Sequence, residues 1–217
     1  MSTYYIELLI SFVCIIPAIV AIVKWKNIPP SYYPFIWSIW ITVLRDITCE
    51  ITAHVFRNNA VASNIYIISM GIFLLLQFNN WSLFKQHKKI FYFLLALFIA
   101  VWCWEFLYFT NLWHYSSYYR ILFYFIIVLL SIHTINLIIN NTYTKLIKNS
   151  VFLICIAFII LYTINIIFEI IFALGLYTNN VFFQHIIYNK ILYLLIPINI
   201  LYAIAIKFIP QKSTFTL

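Results

Sequence analysis

Glycine is nearly absent from this chain of 217 residues, which has only Gly71 and Gly175. A glycine-rich phosphate loop, a Gly-xxx-Gly packing face and a glycine-bearing potassium filter are therefore all excluded. Charge is scarce too: 8% of residues are charged and five are acidic, where soluble domains carry roughly a quarter charged residues. Water is not the main solvent of such a chain. Cysteine pairs are missing as well, because Cys14, Cys49, Cys103 and Cys155 each fall in a separate apolar run with no Cys-x-x-Cys spacing. They read as reduced core side chains rather than disulfide or metal partners. No His-x-x-x-His or His-Glu-x-x-His pair occurs, so neither a zinc hydrolase site nor any other metal or cofactor is expected. The N-terminus has no basic stretch or small-residue cleavage site, and Lys24 and Lys26 follow the first apolar run instead of preceding it. That run is expected to stay attached as the first span.

What is present is apolar: 65% of residues are hydrophobic and 21% aromatic. A helix needs about 20 apolar residues to cross the hydrocarbon core. The pattern predicts an all-α, polytopic membrane helix bundle of about seven transmembrane helices forming one domain over 1–217. The spans fall near 4–23, 35–56, 62–83, 90–112, 119–139, 150–175 and 186–207. Turn-forming residues separate them: Asn27, Pro29, Pro30 and Pro34, then Asn58 and Asn59, Asn140 and Asn141, Asn179 and Asn180.

The net charge of +8 is scattered through short loops, which argues for orientation in a bilayer and against nucleic acid. Lys24, Lys26, Lys85, Lys88, Lys89, Lys145, Lys148, Lys207 and Lys212 follow spans one, three, five and seven, and only Arg57, Arg120 and Lys190 lie on the other side. The positive-inside rule then places the protein in the cell membrane with the N-terminus outside and the C-terminus cytoplasmic. Trp25, Trp37 and Trp81 are expected at the inner interface and Trp113 at the outer one.

Glu50, the Asn58-Asn59 turn and Tyr66 in the first half are matched by Glu169, Asn179-Asn180 and Tyr188 in the second, at offsets that run from 119 to 122 positions. Two parallel three-helix repeats joined by a linker helix account for this; so does chance in an Asn-rich and Tyr-rich chain.

All five acids, Glu7, Asp46, Glu50, Glu105 and Glu169, fall within expected spans. An ionisable group at the bilayer centre costs from about 2.5 kcal/mol upward, so these residues should face an interior and have partners. Thr42, Asp46, Glu50 and His54 recur every four residues along one stripe of span two. Arg45 lies about 100° round that helix and can meet an acid on a neighbouring span. With Glu105, Asn165 and Glu169 at similar depth, the acids could line one outward-opening cavity. Such a cluster suits a solute or proton site built from Arg45, Asp46, Glu50, His54, Glu105, Asn165 and Glu169. An enzymatic alternative has Asp46 or Glu50 acting with His54 as acid and base in hydrolysis of a lipid. A structural alternative has the same groups joining helices at roughly 1 kcal/mol each. Gln77, His133, Asn136, His185, Asn189 and Asn199 are further polar residues within spans, and Pro17 and Pro197 permit kinks.

The layout of Pro29 and Pro30 before span two, then Glu50, Asn58-Asn59 and Asn64-Ile65-Tyr66, resembles small bacterial seven-span membrane proteins of unassigned function. The three-plus-one-plus-three topology also looks like that of small facilitators for sugars and vitamin precursors. That likeness implies a central solute site, although their Pro-Gln and Trp-rich motifs are missing here. The partners expected are the lipid bilayer, a small-molecule solute and, in the alternative of a non-catalytic subunit or sensor, a membrane or cytoplasmic protein. The non-catalytic readings are preferred over the enzymatic one.

Overall fold

The computed structural model describes residues 10–109, 111–141, 146–175 and 188–211. Glu7, Lys145, Asn179, Asn180, His185 and Lys212 lie outside the described residues, as do the side chains of Tyr188, Asn189 and Lys190. The described residues form seven α-helices and no strand: α1 Ile15–Lys24, α2 Tyr33–Phe56, α3 Ala60–Asn80, α4 Lys88–Trp104, α5 Ser117–Asn141, α6 Ser150–Ala173 and α7 Tyr188–Lys207. Among the described residues, four segments are long and apolar enough to cross a membrane: Ala60–Asn80, Lys88–Tyr108, Ser117–Asn140 and Ser150–Ala173. Tyr193–Lys207 is a shorter apolar helix. The architecture is thus a helical bundle compatible with an integral membrane protein.

Local chemistry sets the boundaries. A 3₁₀ turn, Phe12–Cys14, precedes Pro17, whose ring nitrogen cannot donate to the carbonyl four residues earlier. Pro34 sits in the first turn of α2, where its missing N–H costs nothing. Arg57 closes the same helix in the left-handed region at φ 53°. Asn58 then accepts from the Ala60 N–H to start α3. Asn149 caps α6 by accepting from the Phe152 N–H at 3.1 Å. Gly175 follows α6 at φ 68°, where glycine has no Cβ to strain.

Helix α5 packs along α6, α2 along α3 and α6 along α7, while α7 returns to α1 so that the first and last helices are neighbours. Helix α4 packs mainly on α3. One end of the bundle is fastened by polar contacts. The Lys24 ammonium donates to the Ile206, Lys207 and Ile209 carbonyls at 3.2, 2.7 and 2.8 Å, tying the end of α1 to that of α7. Gln77 near the end of α3 accepts from the Phe35 N–H at 2.8 Å and donates to the Ser31 carbonyl at 2.7 Å. Tyr32 and Ser150 hydroxyls meet at 2.7 Å, joining the starts of α2 and α6. Trp25 stacks on Tyr33 and leans on Trp40, and Trp81 packs edge-on to Tyr32 and Phe78. Of the expected interfacial tryptophans, only Trp37 and Trp113 are exposed.

Candidate functional site: an interhelical cavity with two ion pairs

A cavity of about 420 Å³ lies among α2, α3, α5, α6, α7 and the segment before α1 that carries Ser11 and Cys14, and no residue of α1 or α4 lines it. It runs from Asn59, Tyr115 and Glu169 at one end of the bundle to Phe35, Phe158 and Tyr202 toward the other. Those last three rings meet in edge contacts, with centroids 5.6 to 6.1 Å apart, and form an aromatic floor. Beneath it lies the end fastened by Gln77, Tyr32 and Lys24.

Two guanidinium–carboxylate pairs border the space. The Arg45 Nη1 lies 2.5 Å from Asp46 Oδ1, and the guanidinium sits over the Tyr66 ring at 4.9 Å. Among the described residues, the second Asp46 oxygen accepts from the Cys14 thiol alone, at 3.3 Å, a weak donor. The Tyr66 hydroxyl is fixed 3.1 Å from that of Thr42. Across the cavity, Arg120 Nη1 lies 3.4 Å from Glu169 Oε1, with its guanidinium 5.2 Å from the Tyr115 ring centroid. Arg120 Nη2 donates to Ser63 at 2.8 Å and to Asn64 at 3.4 Å. Nε of both arginines is buried without a hydrogen-bond partner. Exposure separates the charges: 37% of the Arg45 side chain is accessible, against 8% for Asp46, 12% for Arg120 and 9% for Glu169. With both pairs intact the lining carries no net charge. Either pair broken singly leaves a charge in low dielectric, at about 3–5 kcal/mol.

The expected site residues divide. Arg45, Asp46, Asn165 and Glu169 are brought together along the cavity, with Thr42 and Asn199. Arg45 pairs with the adjacent acid of its own helix, not with one on a neighbouring span as expected. Glu50 and His54 bond each other at 2.9 Å on the outer face of α2, with 36% and 71% of their side chains exposed, and neither lines the cavity. The stripe from Thr42 to His54 therefore leaves the interior after Asp46, because a four-residue repeat drifts round a helix of 3.6 residues per turn. Glu105 is also off the cavity. It begins a π-helical turn, Glu105–Phe109, that continues α4. Its carboxylate accepts from the Tyr118 and Tyr119 N–H groups at 3.2 and 2.7 Å. A negative charge at the positive end of α5 explains a buried acid without any ligand.

Other polar residues serve as joints. Asn64 donates to the Leu112 and His114 carbonyls at 3.2 and 2.7 Å and accepts from Ser116, holding the loop before α5. Asn199 bonds the Leu195 carbonyl of its own helix at 2.8 Å. His133 and Asn136 are exposed on α5.

Arg120, read from the sequence only as an outer-side charge, and Tyr66, read only as part of the internal repeat and of the resemblance, are among the cavity residues that the sequence did not assign to the site. A signal for Arg120 existed: a cation in the first turn of a helix opposes the macrodipole, so an apolar helix that begins with one needs an acid nearby. Among the described residues, no group of three His, Cys, Asp or Glu side chains could hold a metal ion. No protein-family model, curated protein or solved structure matches this chain.

Proposed function

We propose that the chain is a seven-span protein of the cell membrane, with the N-terminus outside and the C-terminus cytoplasmic, that binds or translocates a small solute through the interhelical cavity. The observation that carries this is the cavity itself: about 420 Å³ within a helical bundle, walled by aromatic rings and bordered by two compensated ion pairs. Pockets of this size suit small-molecule ligands, and their few polar groups confer specificity. Charge inside an apolar bundle is costly, so four ionisable groups bordering one cavity are candidates for a function by default.

Topology supports the same proposal. Lys24, Lys85, Lys88, Lys148 and Lys207 all belong to the helix ends that Gln77, Tyr32 and Lys24 fasten together. The cavity extends from the opposite, lysine-poor end. By the positive-inside rule that end is external. Absence of α4 from the lining fits its role as a linker between two three-helix repeats.

Purified protein should be stabilised by at least one member of a panel of radiolabelled leucine, propionate, glucose, choline and inorganic phosphate, followed by thermal shift and equilibrium binding. Thr42→Trp, which puts an indole into the cavity, should abolish that binding while the protein stays monodisperse. Binding undiminished in Thr42→Trp would overturn the proposal. Uptake into proteoliposomes then separates translocation from binding alone.

A further inference from the structure

We infer that the cavity takes a zwitterionic amino acid, with the ligand carboxylate on Arg45, its ammonium toward the Asp46 and Glu169 carboxylates, and an apolar side chain on the aromatic floor. The inference rests on the solute-binding proposal and narrows it to a chemical class.

Three observations select the class. First, the charges are unequally available. At 37% exposure against 8–12% for the other three, the Arg45 guanidinium is the group that an entering ligand meets. Its Nη1 is committed to Asp46 and its Nε is buried, so the accessible remainder of the guanidinium is what a ligand carboxylate reaches. Guanidinium matches carboxylate geometry, and charge-assisted hydrogen bonds are about twice as strong as neutral ones. A cation is thereby repelled, and a neutral polyol supplies no counter-charge to the most accessible group.

Second, the lining is electrically balanced, Arg45 and Arg120 against Asp46 and Glu169. A simple carboxylate would leave one uncompensated negative charge in a low-dielectric space. A ligand that carries its own ammonium keeps the balance. The acids have room for that ammonium: Asp46 holds one guanidinium nitrogen and one thiol, and Glu169 holds the Ser117 hydroxyl and Arg120, the latter at 3.4 Å. A carboxylate offers about four acceptor positions, so both acids retain capacity.

Third, the deep end of the cavity is aromatic. Phe35, Phe158 and Tyr202 close the deep end. Leucine or phenylalanine places its side chain there and its charged head at the ion pairs.

The test is equilibrium binding of radiolabelled leucine, phenylalanine, propionate, isobutylamine and glucose to the purified full chain. Leucine and phenylalanine should bind, with propionate and isobutylamine, each bearing one of the two charges, at least about 30-fold weaker. Arg45→Gln/Asp46→Asn removes both charges of one pair together, so no orphaned charge is left to unfold the protein, and it should lower amino acid affinity by a similar factor. Arg45→Lys, which keeps the charge but loses the fork, should retain part of it. Amino acid binding unchanged in the folded double variant overturns the inference. Glucose or propionate binding in preference to the amino acids, and lost in Thr42→Trp, overturns it too while leaving solute binding standing. No binding by any probe counts against both.

Discussion

Gly71, one of two glycines in the chain, offers the sharpest test of the packing. A Cβ built on it would lie 2.6 Å from the Tyr119 hydroxyl and 3.1 Å from the Phe98 ring. Neither neighbour can retreat easily, since Tyr119 and Phe98 are both fully buried. Tyr119 stacks on Phe123 and meets Phe98 edge-on, so moving one ring disturbs the others. Overpacking of this kind costs about 1–3 kcal/mol, and alanine's better helix propensity returns up to about 1 kcal/mol. Gly71→Ala should therefore destabilise by up to about 2 kcal/mol. The Tyr119 hydroxyl is itself buried without a hydrogen-bond partner, so Tyr119→Phe alone should be neutral or slightly stabilising. It also removes the atom that the added methyl group would strike, leaving only the milder Phe98 contact. The Gly71→Ala/Tyr119→Phe pair should then recover most of the loss, with a coupling of about 1 kcal/mol. Thermal unfolding in mild detergent, followed by intrinsic fluorescence, reads this at roughly 2–4 °C per kcal/mol for a chain of this size. Equal losses from Gly71→Ala in the parent and Tyr119→Phe backgrounds would refute the contact.

Lys24→Met should lower the unfolding temperature by several degrees, because it removes a side-chain donor that caps the α7 carbonyls of Ile206 and Lys207, a charged contact of about 1.5–3 kcal/mol at most; Lys24→Arg should restore much of it, and a Met variant as stable as the parent would show that the clamp carries no weight. Gln77→Leu leaves the Phe35 N–H and Ser31 carbonyl without their side-chain partner, so a loss of about 1–3 kcal/mol is expected in the same assay, and a neutral effect would count against that joint. Orientation is open to reporter fusions: a C-terminal fluorescent protein should shine and an alkaline phosphatase fused after Asn58 should be active, the reverse pattern contradicting the assigned topology.

The helices were legible in the sequence because two physical signals coincide at their ends. Apolar runs stop where Pro30, Asn58-Asn59 and Asn140-Asn141 supply turn chemistry, and the structure begins or ends helices within a few residues of each. Side-chain joints were less legible. Gln77 and Asn64 were visible as polar residues in apolar runs, but their partners are backbone groups of Ser31, Phe35, Leu112 and His114. Backbone groups look alike in every sequence, so no pattern of residue types marks them.

The acids show why burial does not identify a site. Glu105 and Glu169 are both buried, and the sequence treats them alike. Glu105 meets two N–H groups at the start of α5 and is neutralised by a helix end; Glu169 meets Arg120 beside an open volume. The difference lies in what surrounds each partner, which depends on how α5 sits against α3 and α6. Arg120 illustrates the same point from the cationic side. Counting charges by loop assigns it to the outer surface, yet its long side chain reaches inward to Ser63, Asn64 and Glu169. A hydropathy window records where a charge is attached to the backbone, whereas a site depends on where the charged atoms end. For arginine those differ by several ångströms, enough to move a residue from the interface to the cavity.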